Sequence, residues 1–192
     1  RIISDPMHLF DCCQENDGAA AVLITTEERA KALKQKPVYI MSAASGNQHV
    51  AGNNPFQAEM AGANFVYTDR GQGVAKRLYE QAGVTPDDID VAQMYENFTS
   101  MVLISLEEHG FCEIGEGGAF VQSGAIDWPN GKLPINTSGG NLAEAYIHGF
   151  ELQVEAVRQM RGTSTMQVEG AEIGLVGSGP GVVPVTDMIV RR

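Results

Sequence analysis

Cations are scarce in this chain. Its 192 residues carry 13 Lys and Arg against 24 Asp and Glu, a formal net charge of −11 at pH 7. That balance argues against nucleic acid or an anionic membrane surface as a partner, because phosphate recognition needs a basic face. Long apolar runs are lacking as well: none approaches the roughly 20 residues of a membrane-spanning helix. Cysteine is sparse. Cys12, Cys13 and Cys112 are odd in number and form no CxxC pair, so no disulfide framework is expected and a reducing, cytoplasmic compartment is. The adjacent Cys12 and Cys13 read as core filling. The four histidines, His8, His49, His109 and His148, show no HExxH-like spacing, so no metal site is expected. The chain opens Arg1-Ile2-Ile3-Ser4, without Met and without a signal-peptide pattern, which reads as the interior of a longer protein. Apolar residues make up 43% of the chain, enough for the core of one domain or of one domain with a fragment of another.

One stretch organises the rest: Ile135 to Gly162, INTSGGNLAEAYIHGFELQVEAVRQMRG. Leu142, Ala145, Gly149, Leu152, Ala156 and Met160 recur at spacings of three and four, which predicts one long helix with an apolar stripe. Glu151, Glu155, Arg158 and Arg161 form its polar remainder. Ser138 or Asn141 is placed to cap it and Gly162 to stop it. The pair Gly139-Gly140 leaves backbone N–H groups free to meet a developing negative charge. Tyr146 and His148 fall in the first turns just beyond. A capped core helix with a tight approach turn satisfies the same spacing.

Around this stretch the pattern alternates. The run Ala19 to Ile24 reads as a strand buried on both faces. Thr26-Glu27-Glu28 opens a short helix through Leu33, with acids in its first turn. Val38 to Met41 reads as a strand, and Ser42 to Gln57 as a long loop, of a length that is usually functional or mobile. A helix is predicted over Val74–Ala82, stopped by Gly83, and a turn at Thr85-Pro86-Asp87-Asp88. A strand follows from Ile89 and ends over Met94 to Thr99, then a helix over Met101–His109. Gly115 to Gly118 is a loop and 119–134 is mostly irregular. Glu172–Val176 is a strand. Val182–Val190 is a last strand, with Pro184 marking an edge or a bulge. Strands alternating with helices indicate an α/β layered fold.

Several motifs taken together, in order, resemble one family. Asp11-Cys12-Cys13 with Asp17-Gly18-Ala19-Ala20-Ala21 looks like the segment before the last strand of a thiolase N-terminal half. Asp88-Ile89-Asp90-Val91 followed by Tyr95-Glu96-Asn97-Phe98 looks like the strand that ends in an Asn-Glu-Ala-Phe or His-Asp-Cys-Phe motif. Ile135-Asn136-Thr137-Ser138-Gly139-Gly140 resembles the segment before the Gly-His-Pro motif, and Gly177-Ser178-Gly179 matches the late glycine turn. The resemblance covers essentially the whole chain and is to the sterol-carrier and lipid-transfer branch of the thiolase superfamily. It implies an α/β thiolase-like half-domain, a mixed sheet flanked by helices in a layered arrangement. Residues 1–35 would be the tail of the N-terminal half, its last strand and helix, and 36–192 the C-terminal domain. It also implies a homodimer, and a small OB-fold and zinc-ribbon protein with which such members often pair.

The departures from the family pattern carry the functional reading. The late acid/base Cys is absent from Ile173-Gly174-Leu175-Val176. The Gly-His-Pro histidine aligns with Tyr146, and the Asn or His of the earlier motif with Tyr95. This substitution is similar to thiolase-like aldolases of steroid side-chain degradation. The resemblance therefore implies a lyase cleaving a β-hydroxy acyl-CoA, with Tyr95 and Tyr146 catalytic. A phenol, with an ordinary pKa near 10, can exchange a proton with a substrate hydroxyl. His148 is the alternative acid/base, and Asn97 and Glu96 are supporting groups. Gly139, Gly140, Gly177 and Gly179 are the expected substrate-binding turns, and the Ser42–Asn54 loop is a candidate contact for CoA or a partner, although a plain solvated loop satisfies the same composition. No metal and no cofactor are expected, the CoA thioester being substrate. Two other readings stay open: an acyltransferase of thiolase type, and a non-catalytic lipid-transfer or assembly subunit.

Overall fold

The computed structural model describes residues 1–46, 73–178 and 185–192. The labelled elements in chain order are β1 (Ile2–Ser4), β2 (Met7–His8), α1 (Glu27–Lys31), β3 (Tyr39–Gly46), α2 (Val74–Ala82), β4 (Val91–Met94), α3 (Thr99–Glu108), α4 (Gly117–Gln122), α5 (Gly140–Ala143), α6 (Phe150–Arg161), β5 (Ile173–Gly177) and β6 (Val185–Arg191). A four-stranded mixed sheet runs β3-β6-β5-β4. Its first two pairings are antiparallel and the last, β5 with β4, is parallel. The β4-to-β5 crossover contains α3 to α6, which a parallel pair requires.

Helices cover both faces of this sheet. Val74, Leu78 and Tyr79 of α2 and Leu106 of α3 join Ala92, Met94, Leu175 and Ile189 in one buried cluster. Leu152, Ala156 and Met160 of α6 join Val91, Val176 and Val190 in another. Neighbouring residues of β4 point to opposite clusters, as a strand's period of two dictates. All four β4 residues are therefore buried. The layered α/β reading holds. No helix among the described residues is long and apolar enough to cross a membrane.

Several local expectations also hold. Helix α2 has the predicted bounds, with Gly83 its left-handed C-cap. Thr26 caps α1 by accepting from Arg29 N–H, although the helix closes at Lys31 rather than Leu33. Pro86–Asp88 is a short 3-10 turn.

Other expectations are corrected. Residues Ala19 to Ile24 form no strand: no strand of the described residues pairs with them, and Leu23 and Ile24 are 81% and 74% exposed. A continuous apolar run becomes a strand only where neighbouring strands supply a ladder. The predicted loop at Gly115–Gly118 instead starts α4. Glu107 of α3 accepts the Gly117 N–H at 3.0 Å, a tertiary cap that spacing does not reveal. Strand β6 is not an edge: it pairs with β3 on one side and β5 on the other. Pro184 itself lies outside the described residues. The loop predicted from Ser42 begins as strand, since β3 runs to Gly46, and the rest of it lies outside the described residues.

The largest correction concerns the organising stretch, which is two helices rather than one. His148 and Gly149 take left-handed backbone angles, φ 58° and 83°, between α5 and α6. Tyr146 and His148 therefore stand on a turn, not in a helix. Glu151 and Glu155, read as a polar face, are 3% and 1% exposed.

Candidate active site

The site is built where β4 ends. The Asn136 side chain brackets Met94 like a further strand. Its Oδ1 accepts Met94 N–H at 2.7 Å and its Nδ2 donates to Met94 O at 2.9 Å. Tyr95 N–H then donates to Gly177 O at 3.0 Å. Together these contacts fix the direction in which Tyr95 and Glu96 leave the sheet. Thr137, next to Asn136, is held from the other side. Its hydroxyl donates to Glu155 Oε1 at 2.6 Å, and Ser164 and Gln159 donate to the same oxygen at 2.6 and 3.0 Å. A buried carboxylate with three donors is the tolerable form of a buried charge.

The turn after α5 brings the second phenol to the first. Tyr146 N–H donates to Asn16 Oδ1 at 2.8 Å, which ties this turn to the first segment of the chain. The Tyr95 and Tyr146 hydroxyl oxygens are 2.7 Å apart, a hydrogen bond in which either can donate. The His148 ring stands edge-on to both phenols, at 6.0 Å from Tyr95 and 5.6 Å from Tyr146 between ring centroids. Three of the predicted residues thus form one cluster, half-buried at the phenols and open at His148. Gly149 makes the approach possible. A Cβ there would meet Cδ2 of Tyr95 at 2.7 Å, closer than any side chain tolerates.

The other predicted residues are dispersed around this centre. Asn97 contributes its carbonyl, which accepts Cys13 N–H at 2.9 Å. A Cβ on Gly139 would stand 3.0 Å from Glu144 N, so that glycine permits a tight turn. Gly140 faces Glu96, whose carboxyl group fills the space where its side chain would be. The space beside the glycine pair is thus taken by a carboxyl group of the protein itself. Gly177 packs on His109, 3.2 Å from a built Cβ to Cε1. Gly179 lies outside the described residues.

Electrostatically the cluster resists ionisation. Burial, reinforced by the Tyr146 hydrogen bond, pushes the Tyr95 hydroxyl well above the usual phenol value. It stays protonated at neutral pH. Burial raises the Glu96 carboxyl to about 7, with the Asn141 amide and nearby backbone N–H groups pulling the other way. Burial also raises Glu151. The Cys13 thiol is pushed up, first by burial and then by nearby negative groups including Glu96. It is a neutral thiol rather than an activated thiolate, which would require a lowered pKa.

Two charged groups that sequence reasoning passed over lie buried beside the site. His109 and Asp187 are each 4% exposed at the side chain, with Nε2 and Oδ2 3.4 Å apart. Burial lowers the imidazole, but Asp187 outweighs burial and holds it at about 9. Asp187 also accepts Ser178 N–H at 2.9 Å. The ion pair thus anchors the turn whose Gly177 carbonyl holds Tyr95. No local pattern marks these two residues, since they meet only when α3 packs on β6.

Residues 58–190 match the family described as Thiolase C-terminal domain-like. The chain belongs to the thiolase superfamily. Among its relatives in that superfamily is a 17-hydroxy-3-oxo-4-pregnene-20-carboxyl-CoA lyase of Mycobacterium tuberculosis, 45% identical over 99% of this chain and 48% of the relative. A steroid side-chain-cleaving aldolase of Thermomonospora curvata is 42% identical over 99% of this chain and 47% of the relative. The solved structure of an Ltp2-ChsH2(DUF35) aldolase superposes with a TM-score of 0.90 at 40% identity, covering 100% of this chain and 49% of that one. This thiolase-like chain spans about half the length of the curated relatives it matches. In this thiolase-like chain the two tyrosines singled out from the sequence form a hydrogen-bonded phenol pair.

Proposed function

We propose that the complete protein carrying this chain is a lyase, a thiolase-like aldolase that cleaves a β-hydroxy acyl-CoA with a steroid side chain. The observation that carries this reading is the 2.7 Å contact between the Tyr95 and Tyr146 hydroxyls. Its relatives at 45% and 42% identity, which bear lyase and aldolase names, support it. In the reaction, a phenol oxygen takes the proton of the substrate β-hydroxyl. The alkoxide electrons form the ketone, and the electrons of the breaking C–C bond pass into a thioester enolate. A proton then returns to the enolate carbon. The proton balance closes through the phenol pair. As Tyr146 takes the β-hydroxyl proton it passes its own across the 2.7 Å contact to Tyr95. Tyr95, whose hydroxyl is held protonated, gives its proton to the enolate carbon. Hydrogen-bond donors aimed at the enolate oxygen lower the barrier. The step consumes no thiolate, in keeping with a Cys13 thiol that burial keeps neutral.

The same proposal takes residues 1–35 as the tail of an N-terminal half and 36–192 as the C-terminal domain. The family match over residues 58–190 falls within the second of these segments. It includes a thiolase-type homodimer, a small OB-fold and zinc-ribbon partner and a cytoplasmic location. The exposed Ile2, Ile3, Phe10, Leu23 and Ile24 are apolar surface suited to cover by further protein.

The test is product analysis with the complete protein and a β-hydroxy acyl-CoA bearing a steroid side chain. A ketone and a shortened acyl-CoA should form without added free CoA. Turnover that requires free CoA and a β-ketoacyl-CoA would instead make the protein a thiolase. Replacing Cys13 with Ser should leave cleavage within about threefold, since acid–base groups alone supply the typical 10²–10⁴ of rate.

A further inference from the structure

Glu96 follows Tyr95 directly and is 3% exposed. Its carboxyl group is seated against the bare Cα of Gly140, at the start of α5. Asn141 Nδ2 donates to Glu96 Oε2 at 3.1 Å. The Oδ1 of the same amide accepts Gly149 N–H at 3.2 Å. Gly149, in its left-handed conformation, is the residue over whose Cα the Tyr95 ring lies. It also closes the turn that carries Tyr146 and His148. A circuit therefore runs from Tyr95 through the chain to Glu96, across Asn141 to Gly149, and back to Tyr95 by ring contact. Water cannot readily replace the carboxylate at the Glu96–Asn141 contact, since Asn141 is also 3% exposed.

We propose that Glu96 is a positioning residue: through Asn141 and Gly149 it sets the distance between the two phenols. The inference rests on the reading of Tyr95 and Tyr146 as the reacting groups. Ionised, Glu96 accepts from Asn141 in a charge-assisted bond, which is shorter and stronger than a neutral one. Protonated, one of its oxygens becomes a donor and the grip on Asn141 weakens. Burial raises its pKa to about 7, so the circuit tightens as pH rises through neutrality. The other titratable groups on the surrounding elements are Cys12 and Cys13 on the first segment, Tyr95 at the strand end, Glu144 after α5, Tyr146 and His148 on the turn, and Glu151 and Glu155 on α6. Cys13 and Tyr95 are both shifted upward and stay protonated across that range. Glu151 is also shifted upward by burial, and its Oε2 accepts Ile147 N–H at 3.2 Å. It is the group to be separated from Glu96 by experiment.

The experiment follows the two phenols without substrate. The complete protein, labelled at the tyrosine ζ carbons, is titrated by carbon NMR from about pH 5.5 to 8.5, and Tyr95→Phe and Tyr146→Phe assign the signals. Both signals should move in one step near pH 7. The step should vanish in Glu96→Gln and Glu96→Asp and persist in Glu151→Gln. In Asn141→Ala the Tyr146 signal should lose its step although Glu96 is intact. Flat wild-type signals would overturn the proposal, as would a step that survives Glu96→Gln or one that Asn141→Ala leaves unchanged at Tyr146. A protein that shows the step yet cleaves no β-hydroxy acyl-CoA would refute the aldolase reading and leave the circuit standing.

Discussion

Replacing Gly149 by Ala tests whether the phenol pair depends on a missing side chain. The added Cβ would lie 2.7 Å from Cδ2 and 3.3 Å from Cε2 of Tyr95. Aromatic carbon cannot come that close, so the ring must move by roughly 1 Å, since ordinary carbon contacts are about 3.5–4.0 Å. The backbone adds its own cost: φ is 83°, where an L residue loses about 1–2 kcal/mol. Overpacking adds about 1–3 kcal/mol, and the stiffer unfolded chain offsets about 0.4–1 kcal/mol. The net destabilisation is about 1–5 kcal/mol, visible as a lower Tm. The larger effect is on rate. A displacement of about 1 Å at a reacting group costs on the order of 10²-fold, so kcat for acyl-CoA cleavage should fall by that order while KM changes little. The assay is steady-state cleavage by the complete protein, with tyrosine ζ-carbon signals as a check on ring position. A Gly149→Ala protein with unchanged kcat and unmoved Tyr95 signals would refute the reasoning.

The buried His109–Asp187 pair predicts a pH dependence of opposite sense to acid denaturation. The folded imidazole is held at about 9, above its ordinary 6.5, so the native state retains its proton longer than the unfolded chain. Its stabilisation is complete below pH 6.5 and is lost as pH rises through 9. Tm should fall over that window in the wild type, and the fall should be smaller in Asp187→Asn. Glu155→Ala should cost about 3 kcal/mol, because it leaves Thr137, Ser164 and Gln159 without their common acceptor. A Tm within 1 °C of wild type would contradict that. Asn136→Ala removes both clamps on Met94 and should lower kcat at least tenfold through Tyr95, an outcome read in the same cleavage assay.

What was legible in the sequence followed from local rules. Val74–Ala82 and its Gly83 stop needed only periodicity and a left-handed cap. The layered α/β order needed only the alternation of apolar runs. The two tyrosines were picked out by resemblance to a family motif, and the structure brings their hydroxyls together. What was illegible depends on tertiary partners. The long stripe of Leu142 to Met160 reads as one helix because Gly149 fits the apolar spacing. The left-handed turn there and the Tyr95 ring, arriving from β4, explain why a glycine stands at that position. Glu151 and Glu155 look solvated on a helical wheel, and they are buried because Thr137, Ser164 and the Ile147 amide come to them from elsewhere. Ala19 to Ile24 has the composition of a core strand, yet no described strand lies beside it. His109 and Asp187 have no motif because their meeting is a product of helix-on-sheet packing.

The most direct measurement is a double-mutant cycle on cleavage of a β-hydroxy acyl-CoA, with Tyr95→Phe, Tyr146→Phe and both together in the complete protein. Phenols acting as one proton-transfer unit predict a loss of about 10²-fold or more for each single change, and a double variant no worse than the poorer single. A double variant that keeps wild-type kcat, or losses that simply multiply, would contradict the account.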